Sequence, residues 1–514
     1  MYIYNLGQRF IEIANQNKDK TAIIFNDTGS ITYRRLNDIS NKIVNYFLNY
    51  GIVRNDVVAI QNNKSVVGFA TMIACLKMGV IYTNFDYTNP TDRIKKIFET
   101  ASPKIVFADS MNTNISELCT SMNIPYINTD CETMQYEIDS QSNTIDRNIV
   151  EFVPDCSPAY IMFTSGSTGI PKGVLISQRS IMNFIEWGKS TYQLRENDIL
   201  TNVNPIYFDN SVFDFYCSVF NGLTMAAISK DIVEKPKEML KIIDNIRCTL
   251  WFSVPSMLIY LTNLKLLGKQ TLQSIRIFSF GGEGYPKELL RKLYGIYADQ
   301  AEFYNVYGPT EGTCICSAYK IKEEDIKQDG LTPLGHIAAN FDYLILDERE
   351  NESNYGELCL LGNQLALGYY NDAERTNKSF VRCEKYDTYN VKMYKTGDLV
   401  ENVDGVLFFR GRIDNQIKHM GYRVELEEIE SALIKIENVK QCAVIHTLSK
   451  NNFSKLIGFI ATEKDMDSAS VRNDLKRYIP NYMIPNSFKF MKELPKNANG
   501  KVDRVALKKS VEWV

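Results

Sequence analysis

The sequence predicts an α/β protein, a large N-terminal region of βα-built sheets followed by a small α+β domain. Three observations carry this. Between Val57 and Asn84, an apolar run (Val57–Ile60), a mostly apolar helical stretch (Val66–Met78) stopped by Gly79 and a second apolar run (Val80–Asn84) follow one another. That is the strand–helix–strand rhythm of a parallel sheet covered by helices. Further on, Tyr160–Phe163 reads as another buried strand and ends at a loop of Thr, Ser and Gly. Past a stretch dense in glycine and charge (Phe409–Glu425), Leu426–Ile436 reads as a helix, and Ala443–Ile445 and Leu456–Ala461 as strands. Together these describe a compact domain of about a hundred residues.

The elements follow in order. Ile31–Asn37, with apolar residues at Ile39, Ile43, Val44 and Phe47, reads as a strand end entering an amphipathic helix capped near Thr32. Residues 135–157 are polar and poorly patterned, and are expected to be a connecting loop. Asp209 precedes a helical stretch, Ser211–Phe220, and Ile277–Phe280 is a strand running into the glycine turn Gly281–Gly282. No repeat or low-complexity tract interrupts the chain.

Composition narrows the function. A chain of 514 residues is too long for one core, so two or three domains are expected. With 45% hydrophobic and 23% charged residues it is an ordinary soluble globular protein. A net charge of −3 with no basic block gives nucleic-acid binding no electrostatic support. The most apolar window, Val66–Tyr82, is broken by Lys77 and Gly79 and is too short to span a bilayer. The 11 cysteines form no CxxC pair and the 3 histidines are scattered, which argues against a Cys/His zinc site. An odd cysteine count and no secretion signal at Met1 place the expectation in the cytoplasm.

Four stretches carry chemistry. The loop Thr164-Ser165-Gly166-Ser167-Thr168-Gly169-Ile170-Pro171-Lys172-Gly173 offers backbone amides, hydroxyls and one point charge, a combination suited to a polyphosphate. It is not a Walker A loop, because Lys172 is followed by Gly173. The plainer reading is a Gly/Ser surface loop. Asp209 sits inside an aromatic run (Tyr207, Phe208, Phe213, Phe215), where a carboxylate needs a partner. It is either a helix N-cap or the mate of a substrate ammonium. Asn305-Val306-Tyr307-Gly308-Pro309-Thr310-Glu311 is a strand broken by a forced turn. Tyr307 offers a ring for stacking and Glu311 a hard oxygen ligand for Mg²⁺. Asp398 lies in Thr396-Gly397-Asp398, either an Asx-turn or an acceptor for ribose hydroxyls, and Arg412 is a natural phosphate or ribose partner.

These stretches, in this order, resemble the adenylate-forming superfamily, which holds acyl-CoA synthetases, luciferases and the adenylation domains of nonribosomal peptide synthetases. The resemblance spans nearly the whole chain. Leu76–Asp86 is similar to the family's second core motif, with Asn84 where a proline is usual, and Gly356–Gly362 with Leu367–Tyr370 is similar to its sixth, read as structural. The resemblance implies an N-terminal core over residues 1–413, a mobile C-terminal lid over 415–514 and a hinge at Asp414. It implies ATP and Mg²⁺ as cofactors. Ser165, Gly166, Ser167, Thr168, Gly169, Lys172, Gly281, Gly282, Glu283, Asn305, Tyr307, Gly308, Thr310, Asp398 and Arg412 would take the nucleotide, and Glu311 the metal. Lys501, in the Gly500-Lys501 turn, would enter the site as a catalytic residue with Arg412 and Thr164, although alone it reads as a surface lysine. The amino-acid pocket would be Asp209, Asn210, Phe213, Phe280, Tyr304, Val306 and His336, with Phe280 otherwise plain strand core.

The expected activity is ATP-dependent activation of an amino acid, with a small side chain because three pocket residues are large aromatics, followed by transfer to a phosphopantetheine thiol. The sequence ends soon after Lys501 with no carrier-type domain following, so the expected partner is a separate phosphopantetheinylated carrier protein. Within the superfamily the resemblance is to D-alanine–carrier protein ligases and stand-alone peptide-synthetase domains. Two alternatives stand beside this. An acyl- or aryl-CoA ligase is disfavoured by Asp209, and a catalytically inactive nucleotide or amino-acid sensor is disfavoured by Lys501, Glu311 and Asp398 together.

Overall fold

A computed structural model describes residues 3–26, 29–166, 169–386, 390–448, 454–496 and 502–511. The chain divides into two compact units. One comprises Met1–Phe85, Ala101–Phe163 and Gly173–Ile413, and the other Asp86–Thr100, Thr164–Lys172 and Asp414–Val514.

The first unit is built on three sheets among the described residues. One has a parallel centre, in which Thr21–Phe25, Thr224–Ala227, Ile199–Asn202, Leu250–Ser253, Ile277–Gly281 and Glu302–Tyr307 run side by side. Ser317–Lys320 and His336–Ile337 extend it antiparallel at one edge. The second sheet contains the sequence-predicted strand–helix–strand unit. Val57–Gln61 pairs parallel with Ile81–Asn84 and Ile105–Ala108, and Ile81–Asn84 pairs parallel with Pro158–Thr164. Helix Val66–Met78 between them is buried along nearly its whole length. Ser65 caps it by accepting from the Gly68 amide, and Gly79 ends it at φ 67°, a left-handed closure that glycine allows without strain. The third sheet is antiparallel, with Tyr355–Gly362 beside Lys392–Val403 and Val406–Arg412 paired on the latter's other side.

Sequence and structure part company at two places here. Residues 135–157 are not a plain loop. They hold the end of helix Glu132–Asp139 and the whole of Arg147–Glu151, because single apolar anchors, Ile138 and Val150, reach the core and Asp146 caps the second helix. Asp398 does not form an Asx-turn. It lies within strand Lys392–Val403, directly opposite Arg412, with a register shift between Leu399 and Val400.

The second unit carries the hairpin Gln416–His419 with Tyr422–Glu425, helix Leu426–Leu433, and a three-stranded sheet of Gln441–Leu448, Ser454–Ala461 and Ser487–Met491. Its own core gathers Val424, Ile429, Leu433, Val444, Leu456 and Phe488. No described helix is long and apolar enough to cross a membrane.

Candidate active site

In the first unit the site is assembled around five residues, Tyr307 to Glu311. Strand Glu302–Tyr307 ends at Gly308, where a Cβ would lie 2.3 Å from the Cys314 carbonyl oxygen, so only glycine lets the chain turn there. The next residues make one 3₁₀ turn, Thr310–Gly312, and the strand end and turn together send three side chains to three partners. The Tyr307 hydroxyl donates to Asp398 Oδ2 at 2.5 Å. The Thr310 hydroxyl donates to Asp209 Oδ2 at 2.5 Å. Glu311, fully buried, accepts from the Tyr369 hydroxyl at 2.7 Å.

Asp398 is shared. Its other oxygen, Oδ1, accepts from Arg412 Nη1 at 2.5 Å, a charge-assisted bond between nearly buried groups. Tyr307, Asp398 and Arg412, all expected site residues, thus form one cluster. Burial, and then the Asp398 carboxylate, push the Tyr307 phenol well up, so it stays a donor. Asn305 donates to the Pro333 carbonyl at 2.6 Å, while its Oδ1 is buried with no partner among the described residues.

Asp209 heads helix Asn210–Val219 but makes no side-chain cap bond, so the N-cap reading is set aside in favour of the Thr310 contact. Phe213, within that helix, and Tyr304 both pack edge-on against Tyr192, each with ring centroids 5.2 Å apart, and Tyr192 bonds Ser279 Oγ at 2.7 Å. Asn210 approaches the glycine turn, with its Nδ2 3.7 Å from where a Gly282 Cβ would be. Val306 joins the same apolar cluster as Phe213 and Tyr304.

Three expected site residues point elsewhere. Phe280 lies opposite Asn305 in the parallel register, one position out of phase with Tyr304 and Val306, and side chains alternate across a strand. Its ring is fully buried against Tyr285 in a different core cluster, and Ser279 takes the place on that face expected of Phe280. His336 is exposed, its Nδ1 2.9 Å from the Gly405 carbonyl oxygen, and is not brought to Asp209. Glu283 is engaged with the amide and hydroxyl of Ser256, at the start of helix Pro255–Asn263. Tyr369 was missed because its segment, Leu367–Tyr370, reads as structure only. A Tyr beside a glycine turn gives no sign of the buried carboxylate it serves.

The Thr/Ser/Gly loop belongs to the second unit. Ser167, Thr168 and Lys501 lie outside the described residues. The Thr164 hydroxyl is buried without a partner among the described residues. Gly166 turns so tightly that a Cβ would lie 2.1 Å from the Ile170 carbonyl oxygen, and the Gly169 amide closes back on the Gly166 carbonyl at 2.9 Å. The Ser165 hydroxyl donates to the Arg423 carbonyl at 2.7 Å, and the Gly166 amide to Glu428 Oε2 at 3.3 Å. Glu428 also pairs with Arg93, both nearly buried. Lys172 lies 4.0 Å from Glu425, whose carboxyl is pushed up by burial against the opposing pull of Lys172. The loop therefore already seats a carboxylate on a main-chain amide, the kind of donor that also takes phosphate.

The donor sets suit a nucleotide with Mg²⁺. No group of three His, Cys, Asp or Glu that could cage a metal occurs among the described residues, and Glu311 offers one buried carboxylate. One carboxylate, with phosphate oxygens and water, is how Mg²⁺ is commonly held.

The sequence pattern of the AMP-binding enzymes matches residues 10–370, and that of the AMP-binding enzyme C-terminal domain matches residues 428–501. The chain belongs to the AMP-binding enzyme family. It is an AMP-forming ligase of the adenylate-forming superfamily. It is 32% identical to a D-alanine–D-alanyl carrier protein ligase of Listeria monocytogenes serotype 4a (strain HCC23), over 94% of this chain and 94% of that protein. It is 30% identical to zwittermicin A synthase ZmaJ of Bacillus cereus, over 97% and 93%. Among solved structures it superposes on the Vibrio cholerae adenylation domain AlmE, in complex with glycyl-adenosine-5'-phosphate, with a TM-score of 0.84 at 22% identity, covering 100% of this chain and 99% of that one.

Proposed function

We propose that this AMP-binding enzyme activates an amino acid of small side chain and passes it to the phosphopantetheine thiol of a separate carrier protein. The substrate carboxylate oxygen bonds to the α-phosphorus of ATP as the α–β phosphoanhydride breaks and pyrophosphate leaves. The thiol sulfur then bonds to the acyl carbon, its proton is lost, and AMP departs. The observation that carries the reading is Asp209. Its carboxylate heads a helix it does not cap and is oriented by Thr310. An ammonium ion is the partner such a carboxylate suits. The D-alanine ligase similarity, over nearly the full length of both proteins, supports a small amino acid and a carrier-protein acceptor.

An amino-acid carboxylate is ionised at neutral pH, so the first step needs no strong base. It needs charge neutralisation and alignment against an anionic nucleotide. Tyr307 offers its ring to the adenine, Asp398 accepts from the ribose hydroxyls, and Arg412, held by Asp398, faces ribose or α-phosphate. Thr164, Ser165, Gly166, Gly169 and Lys172 take the phosphates. Glu311 would hold Mg²⁺, which when bound neutralises phosphate charge. By family resemblance Lys501 bridges substrate carboxylate and phosphate, and Asp414, where the second unit resumes, serves as hinge between a core of residues 1–413 and a lid of residues 415–514.

The test is amino-acid-dependent exchange of labelled pyrophosphate into ATP across D- and L-alanine, serine, glycine, cysteine and larger amino acids, with Lys501→Ala alongside. Exchange with a small amino acid that disappears in the variant is expected. No exchange with any amino acid, but CoA-dependent product from a simple carboxylic acid, would replace this reading with a CoA ligase.

A further inference from the structure

The second unit contains an open-mouthed cavity of about 460 Å³, bordered on one side by the proposed hinge residue Asp414, that no chemical step of the proposed reaction uses. It lies between helix Arg504–Lys509, strand Gln441–Leu448 and the segment from Asp414 to Ile417, and its volume is in the range of pockets that take small organic ligands. Its lining is uneven in charge. Lys508 and Lys509, in the last turn of the helix, are exposed at its rim. Arg504 also lines it, but the guanidinium is closed by the Glu430 carboxylate, 2.9 Å from both Nη1 and Nη2, and by the Val444 carbonyl at 2.8 Å. Asp414 is the one carboxylate of the lining, and Ile445 contributes apolar surface.

The imidazole of His446 faces this cavity on a fixed ring. Its Nε2 lies 2.7 Å from Ser454 Oγ, and the same oxygen lies 2.5 Å from His419 Nδ1. The bridging hydroxyl can donate to one ring and accept from the other, which locks the His446 ring and leaves Nδ1 as its second polar atom. Burial, and then the Lys508 ammonium, lower the His446 pKa. Two ammonium groups at one rim repel one another, and protonating the imidazole beside them would add a third positive charge. A dianion among them removes that repulsion, and lysine ammonium groups are effective point charges for phosphate.

We propose that this cavity binds a small organic phosphate, the phosphate held by Lys508, Lys509 and His446 and the organic arm lying over Ile445. The site is lined wholly by the second unit and is independent of the amino-acid assignment above. With only three histidines in the chain, ring resonances of the full-length protein report on it directly. The probe is phenyl phosphate, with inorganic phosphate and phenol alongside. Expected are a saturable shift of the His446 resonance with phenyl phosphate, a rise in its pKa on binding, weaker binding of inorganic phosphate, none of phenol, and an unmoved His336. In K508Q/K509Q, folded as judged by an unchanged melting curve, loss of two charge-assisted contacts weakens Kd by about tenfold or more. No saturable His446 shift, an equal shift at His336, or wild-type binding by the double variant would each overturn the proposal.

Discussion

Asp209→Asn isolates the group on which the substrate reading rests. The change keeps the shape and leaves an amide oxygen to accept from the Thr310 hydroxyl, now 2.5 Å from the carboxylate. Helix Asn210–Val219 loses no cap, since Asp209 makes no side-chain cap bond. What is removed is the charge. A hydrogen bond to a charged partner contributes about 1.5–3 kcal/mol, and losing the charge opposite a bound ammonium falls at the upper end of that, about 2–3 kcal/mol for a half-buried site. That corresponds to about 30- to 150-fold in kcat/KM for the amino acid. Pyrophosphate exchange with the preferred amino acid, and with the acid lacking its amino group, separates the effects. The variant should lose the amino acid selectively, leave the KM for ATP unchanged and narrow the preference over the des-amino acid. A kcat/KM within about threefold of wild type, or an equal loss for both acids, would refute the pairing of Asp209 with an ammonium group.

Other perturbations probe the rest of the site. Gly308→Ala places a Cβ 2.3 Å from the Cys314 carbonyl oxygen, so the turn must shift; adenylation should fall by at least about tenfold with both substrates, and the melting temperature should drop. Arg412→Lys keeps the charge but not the guanidinium geometry against Asp398; steady-state kinetics should show a raised KM for ATP with the KM for the amino acid little changed. His419, nearly buried, has its pKa lowered to about 4 by burial and then by His446. The unfolded chain therefore takes up a proton that the folded chain refuses, so this contribution to stability is complete above the unfolded value of 6.5 and is lost as pH falls from there toward 4. Thermal unfolding between pH 7 and pH 4.5 should be less steep in His419→Gln, whose amide can still meet Ser454.

What the sequence made legible was local. Helix Val66–Met78 declares itself by a mostly apolar run and a glycine after it, each acting within a turn or two of chain. The glycine-rich loop and the turn at Gly308 are legible for the same reason, since backbone conformation there depends on neighbours in sequence. Register is not local. Whether Phe280 or Ser279 shares a face with Tyr304 is settled by the pairing of two strands, and a shift of one residue exchanges the faces. Asp398 looked like a turn residue because Gly397 precedes it, yet its role depends on a strand 14 residues further on that brings Arg412 opposite. Tyr369 and Glu311 are 58 residues apart, and nothing in either segment names the other. His336 enters the expected pocket only through the family pattern, which does not fix where a side chain points.

Tyr307, Thr310 and Glu311 lie within five consecutive residues at a strand end and the turn after it, yet they fasten to Asp398, Asp209 and Tyr369. On the proposed function, recognition of the nucleoside and recognition of the amino group would thus be mechanically one object. Anything that settles Asp209 against Thr310 also steadies Tyr307, so each ligand should find the site better ordered once the other has arrived, and by thermodynamic reciprocity the gain is equal in both directions. The same linkage constrains change over generations. A new substrate preference acquired by rebuilding the surroundings of Asp209 would be felt in the affinity for ATP, and substitutions that repair the one would have to be found in the company of the other.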